Sequence, residues 1–333
     1  MSDEAVLDPD LPICDPHHHL YVWPGIGELG LPETYLLPEF LAEIASGGHN
    51  IESTVYLEAT AFYRKDGPEE LRTLGETEFA TGVAAMSASG LFGATRVCEG
   101  IVGRVELIRG DAIGAVLEKH VAVGGDRFKG IRDAGPWDDN MDVPRGHTAP
   151  PKGLYEASAF RAGFAHLSRL GLSFDAWQYH PQLPQVIDLA DAFPDTQIVL
   201  DHVGGVLGIG PYAGKADAVF AEWSKNIRKL AERPNVSVKL GGMGQPLGPF
   251  DHHTHNPKPN SEVLAAAWRP YVETCIDAFG VKRAMFESNF PVDGVACNYR
   301  ALWNAMKRIA AGASADEKAD LFRNTARTFY RLS

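Results

Sequence analysis

Short apolar runs recur along the chain, and each ends in polar residues or glycine before the next segment begins. Runs this short and this uniformly apolar are typical of strands that are covered on both faces. The pattern predicts eight strands, at residues 11–15, 53–58, 82–86, 127–132, 172–176, 197–202, 236–240 and 284–287.

Amphipathic segments fill several of the gaps between these runs. In residues 216–232, apolar side chains recur every three or four positions, which places them on one face of a helix. The same spacing predicts helices at residues 184–193, 264–279, 299–311 and 315–332.

Strands that alternate with helices favour parallel pairing with right-handed crossovers. Eight such units in 333 residues, with no break in composition, predict an α/β protein with a single (β/α)8 TIM barrel over residues 10–333. Residues 1–9 form a short N-terminal extension. Two long irregular stretches, 133–152 and 241–260, each follow a strand and are expected on the carboxyl-end face of the barrel, where such loops bind ligands.

Charge and composition exclude several functional classes. The chain carries 31 basic and 43 acidic residues, a net charge of −12, so it lacks the basic excess of a nucleic-acid-binding protein. No apolar run is long enough to span a membrane, and the acidic N-terminus does not resemble a secretory signal. Four scattered cysteines predict free thiols. We expect a cytoplasmic enzyme that acts on a small molecule, and homo-oligomerisation is left open.

Histidines follow three of the predicted strands. His17 and His19 are two residues apart on an extended segment, so both face the same way while His18 faces the other. His180 and His202 follow the fifth and sixth predicted strands. Because strand ends of such a barrel converge on one site, these imidazoles are candidates for binding a divalent transition metal or for catalysis.

Four segments in this order resemble the amidohydrolase superfamily, specifically its amidohydrolase-2 type. They are DPHHHLYVW, FKGIR, YHPQLPQVIDLADAFPDTQIVLDHVGG and MFESNFPVD. The chain is most similar to the lactonase branch, which includes 2-pyrone-4,6-dicarboxylate lactonase, sulfomuconolactonase and the sugar-acid lactonases. This resemblance extends from about residue 10 to the C-terminus.

The resemblance implies roles for individual residues. His17, His19 and His180 match the metal ligands of metal-bearing members, so the cofactor is one divalent metal, zinc or manganese, with a metal-free site as the alternative. His202 matches the histidine that polarises the carbonyl or transfers a proton. Arg132 matches the arginine that holds substrate carboxylates, and its alternative is a structural ion pair with Asp133 or Asp138.

The chain departs from the family pattern at its eighth predicted strand, where Asn289 stands in place of the usual aspartate. An amide has no useful basicity, so Asn289 is expected to orient water or the ring oxygen, and the base must come from elsewhere. The candidates are His202, Glu58, Asp293 and Glu287.

The sequence also suggests roles for other polar residues and for Trp137. Glu58 ends the second predicted strand and is assigned a catalytic role, and Trp137 is expected to line the mouth of the pocket and contact substrate. Lys129 lies three residues before Arg132 in the same strand, so the two face opposite ways, and Lys129 is expected on the barrel exterior or in packing. Lys239 is expected to be similar. The run at residues 251–255 is expected to be a solvated loop or a substrate contact.

Together these features predict a hydrolase that opens a small, carboxylate-bearing lactone or ester. The alternatives are a decarboxylase or lactone isomerase on the same scaffold, and a non-catalytic protein that binds a small ligand.

Overall fold

Eight parallel strands form a barrel in the computed structural model, which describes residues 4–333. The ring closes where the amide of His19 donates a hydrogen bond to the carbonyl of Phe290, at 2.8 Å. Strands β2 and β3 form a separate antiparallel pair, and the others follow the barrel in chain order. The strands are β1 (Ile13–His18), β2 (Tyr21–Val22), β3 (Thr34–Tyr35), β4 (Ile51–Leu57), β5 (Arg96–Gly103), β6 (Phe128–Ile131), β7 (Ser173–Ala176), β8 (Ile198–Leu200), β9 (Val236–Leu240) and β10 (Ala284–Phe286).

Helices lie between the barrel strands, which confirms the predicted (β/α)8 architecture. They are α1 (Leu37–Gly47), α2 (Leu74–Ala88), α3 (Gly114–Gly124), α4 (Ser158–Phe164), α5 (His166–Arg169), α6 (Leu183–Ala192), α7 (Ala216–Ala231), α8 (Ser261–Phe279), α9 (Tyr299–Ile309), α10 (Ala315–Ala319) and α11 (Thr325–Phe329). The helix predicted at residues 315–332 is interrupted by one π-helical segment, Asp320–Asn324.

One predicted strand is wrong. Residues 82–86 belong to helix α2, and the third barrel strand is instead β5. The buried side chains of α2 include Ala80, Val83, Ala84 and Ser87, whose three- and four-residue spacing places them on the face that packs against the barrel. A run of small apolar residues on such a face resembles a buried strand in sequence.

Two of the buried apolar clusters form the core of the barrel and its helices. The larger one fills the space between the barrel and its helices. The smaller one lies inside the barrel, where inward-facing residues such as Val55, Val102 and Met285 contact Phe329 and Tyr330 of the C-terminal segment. This apolar plug closes the lower end of the barrel and leaves the carboxyl ends of the strands open for polar side chains.

The loop after β6 covers part of the carboxyl-end face, as predicted. The amide of Trp137 donates to the side chain of Gln182 at 3.0 Å, and the hydroxyl of Tyr179 donates to the carbonyl of Pro144 at 2.5 Å. These bonds attach the loop to the segment that follows β7, so the two loops form one wall of the mouth.

The structure also bears on the N-terminal extension, the cysteines, Lys129 and the question of a membrane-spanning helix. Residues 1–3 of the predicted extension lie outside the described residues, and Leu7 and Asp8 accept hydrogen bonds from Lys307 of α9. All four cysteines are buried and unpaired. Lys129 faces the lower end of the barrel, where it donates to the carbonyl of Arg331. Within residues 4–333, no helix combines the length and the hydropathy that crossing a membrane requires.

Candidate active site

His17 and His19 lie together at the open end of the barrel. Their Nε2 atoms are 3.2 Å apart, and both rings are buried. The Nδ1 atom of His19 is 2.9 Å from the carbonyl of Leu57, so it carries the proton and its Nε2 lone pair faces His17. His18 points the other way, as predicted, and stacks on Phe40 with ring centroids 4.2 Å apart.

His202 joins this pair from the end of β8. Its ring centroid lies 4.5 Å from that of His17. Its Nδ1 atom is 2.7 Å from Oε1 of Glu287, and the other carboxylate oxygen, Oε2, is 2.8 Å from Nδ1 of His17. Glu287 therefore lies between two imidazoles and fixes the proton of His202 on Nδ1. Among residues 4–333, Nε2 of His202 forms no hydrogen bond, and it is left for a ligand.

The backbone at this site is strained. His202 and Asn289 have φ angles of 55° and 52°, in the left-handed region that side chains rarely adopt. Each such residue costs about 1–3 kcal/mol, and such strain concentrates at functional sites. Gly242 provides the space for His202, because a Cβ there would lie 2.3 Å from Cγ of the imidazole.

Lys239 is a central member of the site, contrary to its expected packing role. Its ammonium nitrogen lies 2.6 Å from Asp175, 3.0 Å from Asp201 and 3.2 Å from Nδ1 of His17. Burial alone would lower the pKa of Lys239, but the carboxylates of Asp175 and Asp201 raise it above its ordinary value. The lysine is thus a fixed positive charge below the histidines.

Arg132, expected to anchor a substrate carboxylate, forms a buried ion pair with Glu58. Its Nε and NH2 groups donate to the side chain and the carbonyl of Glu58, at 2.7 and 2.5 Å. Its NH1 group lies 3.3 Å from Nε2 of His17, and the arginine is 2% exposed. The predicted alternative of a structural ion pair is closer to what is found, although the partner is neither Asp133 nor Asp138.

Glu58 is held in its charged form. Its carboxylate also accepts a hydrogen bond from His147 of the loop after β6, at 3.0 Å. Burial alone would raise the pKa of Glu58, but the positive charge of Arg132 and the hydrogen bond from His147 hold it well below its ordinary value. A carboxylate so stabilised cannot take up a proton near neutral pH, which argues against Glu58 as the general base.

Burial keeps the histidine pair neutral. It lowers the pKa of His17 and His19 well below the ordinary value, and the nearby positive charges of Lys239 and Arg132 lower it further. Neutral imidazoles keep a lone pair that can bind a metal or accept a proton.

The buried charges of the site do not cancel. With all of them ionised, four carboxylates face two cations, which leaves two negative charges. The groups concerned are Glu58, Asp175, Asp201, Glu287, Arg132 and Lys239. Both oxygens of Asp201 and Oε2 of Glu287 lie near cations or imidazoles but receive no well-directed hydrogen bond.

This donor set fits a divalent cation. Among the described residues, possible ligand atoms of His17, Asp201 and His202 all lie within 4.8 Å of one another. Two histidine nitrogens that bind one zinc ion in tetrahedral geometry lie about 3.3 Å apart, close to the separation of the His17 and His19 pair.

His180 does not join this group. Its Nδ1 atom accepts a hydrogen bond from the amide of Leu207 at 3.2 Å, and its ring lies against Tyr212 with centroids 5.1 Å apart. Burial lowers the pKa of His180 to about 4, so it is neutral. Of the expected ligands, the structure brings His17 and His19 into contact, whereas Nδ1 of His180 holds the segment after β8.

Asn289 lies at the predicted strand end with one side of its amide free. Its Nδ2 group donates to Asp293 at 2.8 Å, whereas its buried Oδ1 atom has no hydrogen-bond partner among the described residues. Burial raises the pKa of Asp293 to about 7. Asn289 thus presents an unsatisfied acceptor beside the backbone of His17, with which its own amide forms a hydrogen bond of 2.9 Å.

Trp137 lies in the loop wall rather than in the histidine cluster. Its ring is half-buried beneath two cations, with Lys152 at 4.7 Å and Arg145 at 5.6 Å from the ring centroid. The run at residues 251–255 forms a short 3₁₀ turn, in which His252 is buried beside Phe250.

Four residues of this cluster were not predicted to belong to the site. They are Lys239, Asp175, Asp201 and His147. The sequence does contain a signal for Lys239 and Asp175, because a charged residue at an inward position of an otherwise apolar strand must have a buried partner. His147 lies in an irregular loop, and its spacing relates it to no other site residue.

Comparison with known proteins identifies the family. The sequence profile described as Amidohydrolase matches residues 14–332. The uncharacterized protein y4mH of Sinorhizobium fredii is 33% identical, with 100% of both chains covered. An L-fucono-1,5-lactonase of Burkholderia multivorans is 27% identical over 55% of this chain and 60% of its own.

The fold is also found in solved structures. An amidohydrolase from Burkholderia multivorans, solved with bound zinc, superposes with a TM-score of 0.70 at 23% identity, over 96% of this chain and 99% of that chain. The match of the family profile over nearly the whole chain, together with the full-length relative, settles the classification. The chain belongs to the amidohydrolase family of hydrolases.

Proposed function

We propose that this hydrolase opens a small lactone or a related ester by adding water to its carbonyl group, with His202 as the general base. The observation that carries the proposal is the 2.7 Å contact between Nδ1 of His202 and Glu287, which leaves Nε2 of the same ring unpaired at the mouth. A carboxylate that fixes the tautomer of a histidine is the arrangement by which hydrolases keep an imidazole ready to accept a proton.

The reaction then follows from the positions of these groups. Nε2 of His202 removes a proton from water while the water oxygen bonds to the carbonyl carbon. The bond between that carbon and the ring oxygen breaks next, and the imidazolium of His202 returns the proton to the ring oxygen. The product is a hydroxy acid. Glu287 stabilises the transient positive charge on His202.

Asn289 is proposed to orient the attacking water. Its Oδ1 atom is buried without a donor, so a water O–H group that points at it would satisfy a costly unpaired acceptor. The neutral amide cannot replace His202 as a base. Asp293 fixes the amide through its hydrogen bond to Nδ2.

The same groups support a divalent metal. His17, His19 and Asp201 are the residues that would hold it, which leaves Nε2 of His202 free to act as the base, and His180 is not among them. A bound divalent ion polarises the carbonyl and lowers the pKa of water. Two uncompensated negative charges and neutral histidines support this cofactor, and zinc or manganese suits the mixed nitrogen and oxygen donors.

A lactone is favoured over an amide by the relative that carries the name lactonase. Arg132 was expected to bind a carboxylate of the substrate, but its guanidinium group is paired with Glu58. Lys239, the other buried cation of the site, is likewise paired, with Asp175 and Asp201. We therefore propose an uncharged substrate, which departs from the expectation drawn from the sequence.

Replacement of the proposed base tests the mechanism. His202→Ala should lower kcat by about 10²–10⁴ on any lactone that the protein opens, because water then loses its proton acceptor. Hydrolysis is followed by pH-stat titration of the acid formed. His166→Ala is the control, since His166 pairs with Asp111 at the outer surface. Turnover of His202→Ala within a few-fold of the unaltered protein would remove His202 from the mechanism.

Metal content separates the two candidate ligand sets. After dialysis against zinc and removal of the excess, we expect about one equivalent of zinc by elemental analysis. The double variant His17→Ala/His19→Ala should lose it, whereas His180→Ala should keep it. Loss of zinc from His180→Ala, or no zinc in the unaltered protein, would contradict the proposed ligand set.

The amide at position 289 can be tested through pH. Asn289→Asp would bring two carboxyl groups together, because Asp293 lies 2.8 Å from the amide nitrogen that is replaced. Since the pKa of Asp293 is already raised to about 7, the pair can share a proton at pH 5.5 but is doubly charged at pH 8.5.

The free energy of unfolding of Asn289→Asp should therefore fall more at pH 8.5 than at pH 5.5, relative to the unaltered protein at each pH. Urea denaturation at the two pH values provides the measurement. Asp293→Asn in the same background is the control and should abolish the pH dependence. An equal loss at both pH values would show that the two carboxyl groups do not interact.

A further inference from the structure

A cleft of about 570 Å³ lies at the lower end of the barrel, on the face opposite the histidines. Its walls come from the first residues of β5 and β6, from the turn Gly125–Arg127, from Gly171 before β7 and from the C-terminal segment. The apolar plug, which includes Phe329 and Tyr330, fills the barrel between this cleft and the charged groups around His17. A molecule bound in the cleft is therefore separated from the proposed site of reaction.

Four cationic side chains line the cleft, and within residues 4–333 none of them forms an ion pair. They are Arg96, Arg127, Lys129 and Arg331. In that part of the chain, the side chains of Arg96 and Arg127 also form no hydrogen bond. Lys129 and Arg331 bond only to backbone carbonyls: Nζ of Lys129 donates to the carbonyl of Arg331 at 3.0 Å, and Nη2 of Arg331 donates to that of Lys129 at 2.9 Å. Burial lowers the pKa of Lys129, and the positive charge of Arg331 lowers it further.

Carboxylates near the cleft do not cancel this charge. Glu99 faces the cleft, but Nη1 of Arg327 in α11 lies 3.6 Å from its carboxylate, and the same guanidinium group donates to Ser333 at 2.5 Å. Asp126 is exposed on the turn. The lining side chains thus carry four positive and two negative charges, although the whole chain has a net charge of −12. The cleft is therefore a local concentration of positive charge.

We propose that this cleft binds the phosphoryl group of a small molecule, either a phosphate ester or free phosphate. A phosphoryl group carries up to two negative charges and three acceptor oxygens, so cations from several segments can bind it together. A carboxylate has only two oxygens, for which a single guanidinium group suffices. The cleft is within the size range of small-molecule sites and larger than one phosphate ion requires, which favours an ester. The proposal does not depend on lactone hydrolysis.

Calorimetric titration of the full chain with three anions tests the proposal. The anions are glycerol 3-phosphate, inorganic phosphate and D-glycerate, which carries a carboxylate on a small polar molecule. We expect about one equivalent of glycerol 3-phosphate to bind, at least about tenfold more tightly than glycerate. Tighter binding of the ester than of inorganic phosphate identifies an ester as the ligand, and the reverse order identifies the free ion. No saturable binding of either phosphate compound up to about 10 mM, or equal affinity for glycerate, would overturn the proposal.

A double variant locates the binding in the cleft. Arg96→Gln/Arg127→Gln removes two cations that form no hydrogen bond within residues 4–333, so the fold should be kept. We expect the affinity for glycerol 3-phosphate to fall by about 10- to 100-fold, because bonds to charged groups are the strong ones. Lys225→Gln/Arg228→Gln removes two exposed cations of α7 and is the matched control, with a change below about threefold. Unchanged affinity in Arg96→Gln/Arg127→Gln would place the ligand elsewhere and overturn the proposal.

A variant with the opposite expected effect guards against loss of binding through poor folding. Asp126→Asn removes a carboxylate that faces the cleft. Because a negative charge near the ligand repels an anion, the affinity for glycerol 3-phosphate should rise by about two- to tenfold. The gain should shrink when sodium chloride is raised from about 50 to about 500 mM, since salt screens exposed charges. Unchanged or weaker binding in Asp126→Asn would contradict an anion in this cleft.

Discussion

At the centre of the barrel, the ammonium group of Lys239 lies between the carboxylates of Asp175 and Asp201 and beside the ring of His17. Buried charges of this kind are tolerated only when they are paired. The pairing fixes the groups that surround the histidines, and the Arg132–Glu58 pair does the same on the other side. Because the compensation is incomplete, the site favours a bound cation, and because Arg132 and Lys239 are both paired, neither is free to hold an anionic substrate.

The fold could be predicted from the sequence because its main determinant is local. Short apolar runs indicate strands that are buried on both faces. Amphipathic segments indicate helices that are buried on one face. The strand prediction was wrong where these two signals coincide. Residues 82–86 are small and apolar because α2 packs closely on the barrel, whereas β5 contains Arg96 and Glu99 near its beginning and reads as polar.

The site was predicted less completely. Because His17, His19 and His202 lie at strand ends, their side chains were predicted to converge on one site. The structure brings these three together. The partners of Arg132 and His180 could not be deduced, since Glu58 and Leu207 come from other strands and loops. Pairing across a barrel depends on the tertiary arrangement, so a spacing in sequence cannot show whether a charged group faces a ligand or another side chain.

The charge pairing beneath the histidines is tested most directly by a double-mutant cycle at Lys239 and Asp175. Urea unfolding gives the free energies for Lys239→Met, Asp175→Asn and the double variant. We expect Lys239→Met to cost about 3–5 kcal/mol, because it leaves buried carboxylates unpaired, and the double variant to cost at least about 1 kcal/mol less than the sum of the single changes. Additive costs, within about 0.5 kcal/mol, would show that the two groups do not stabilise each other.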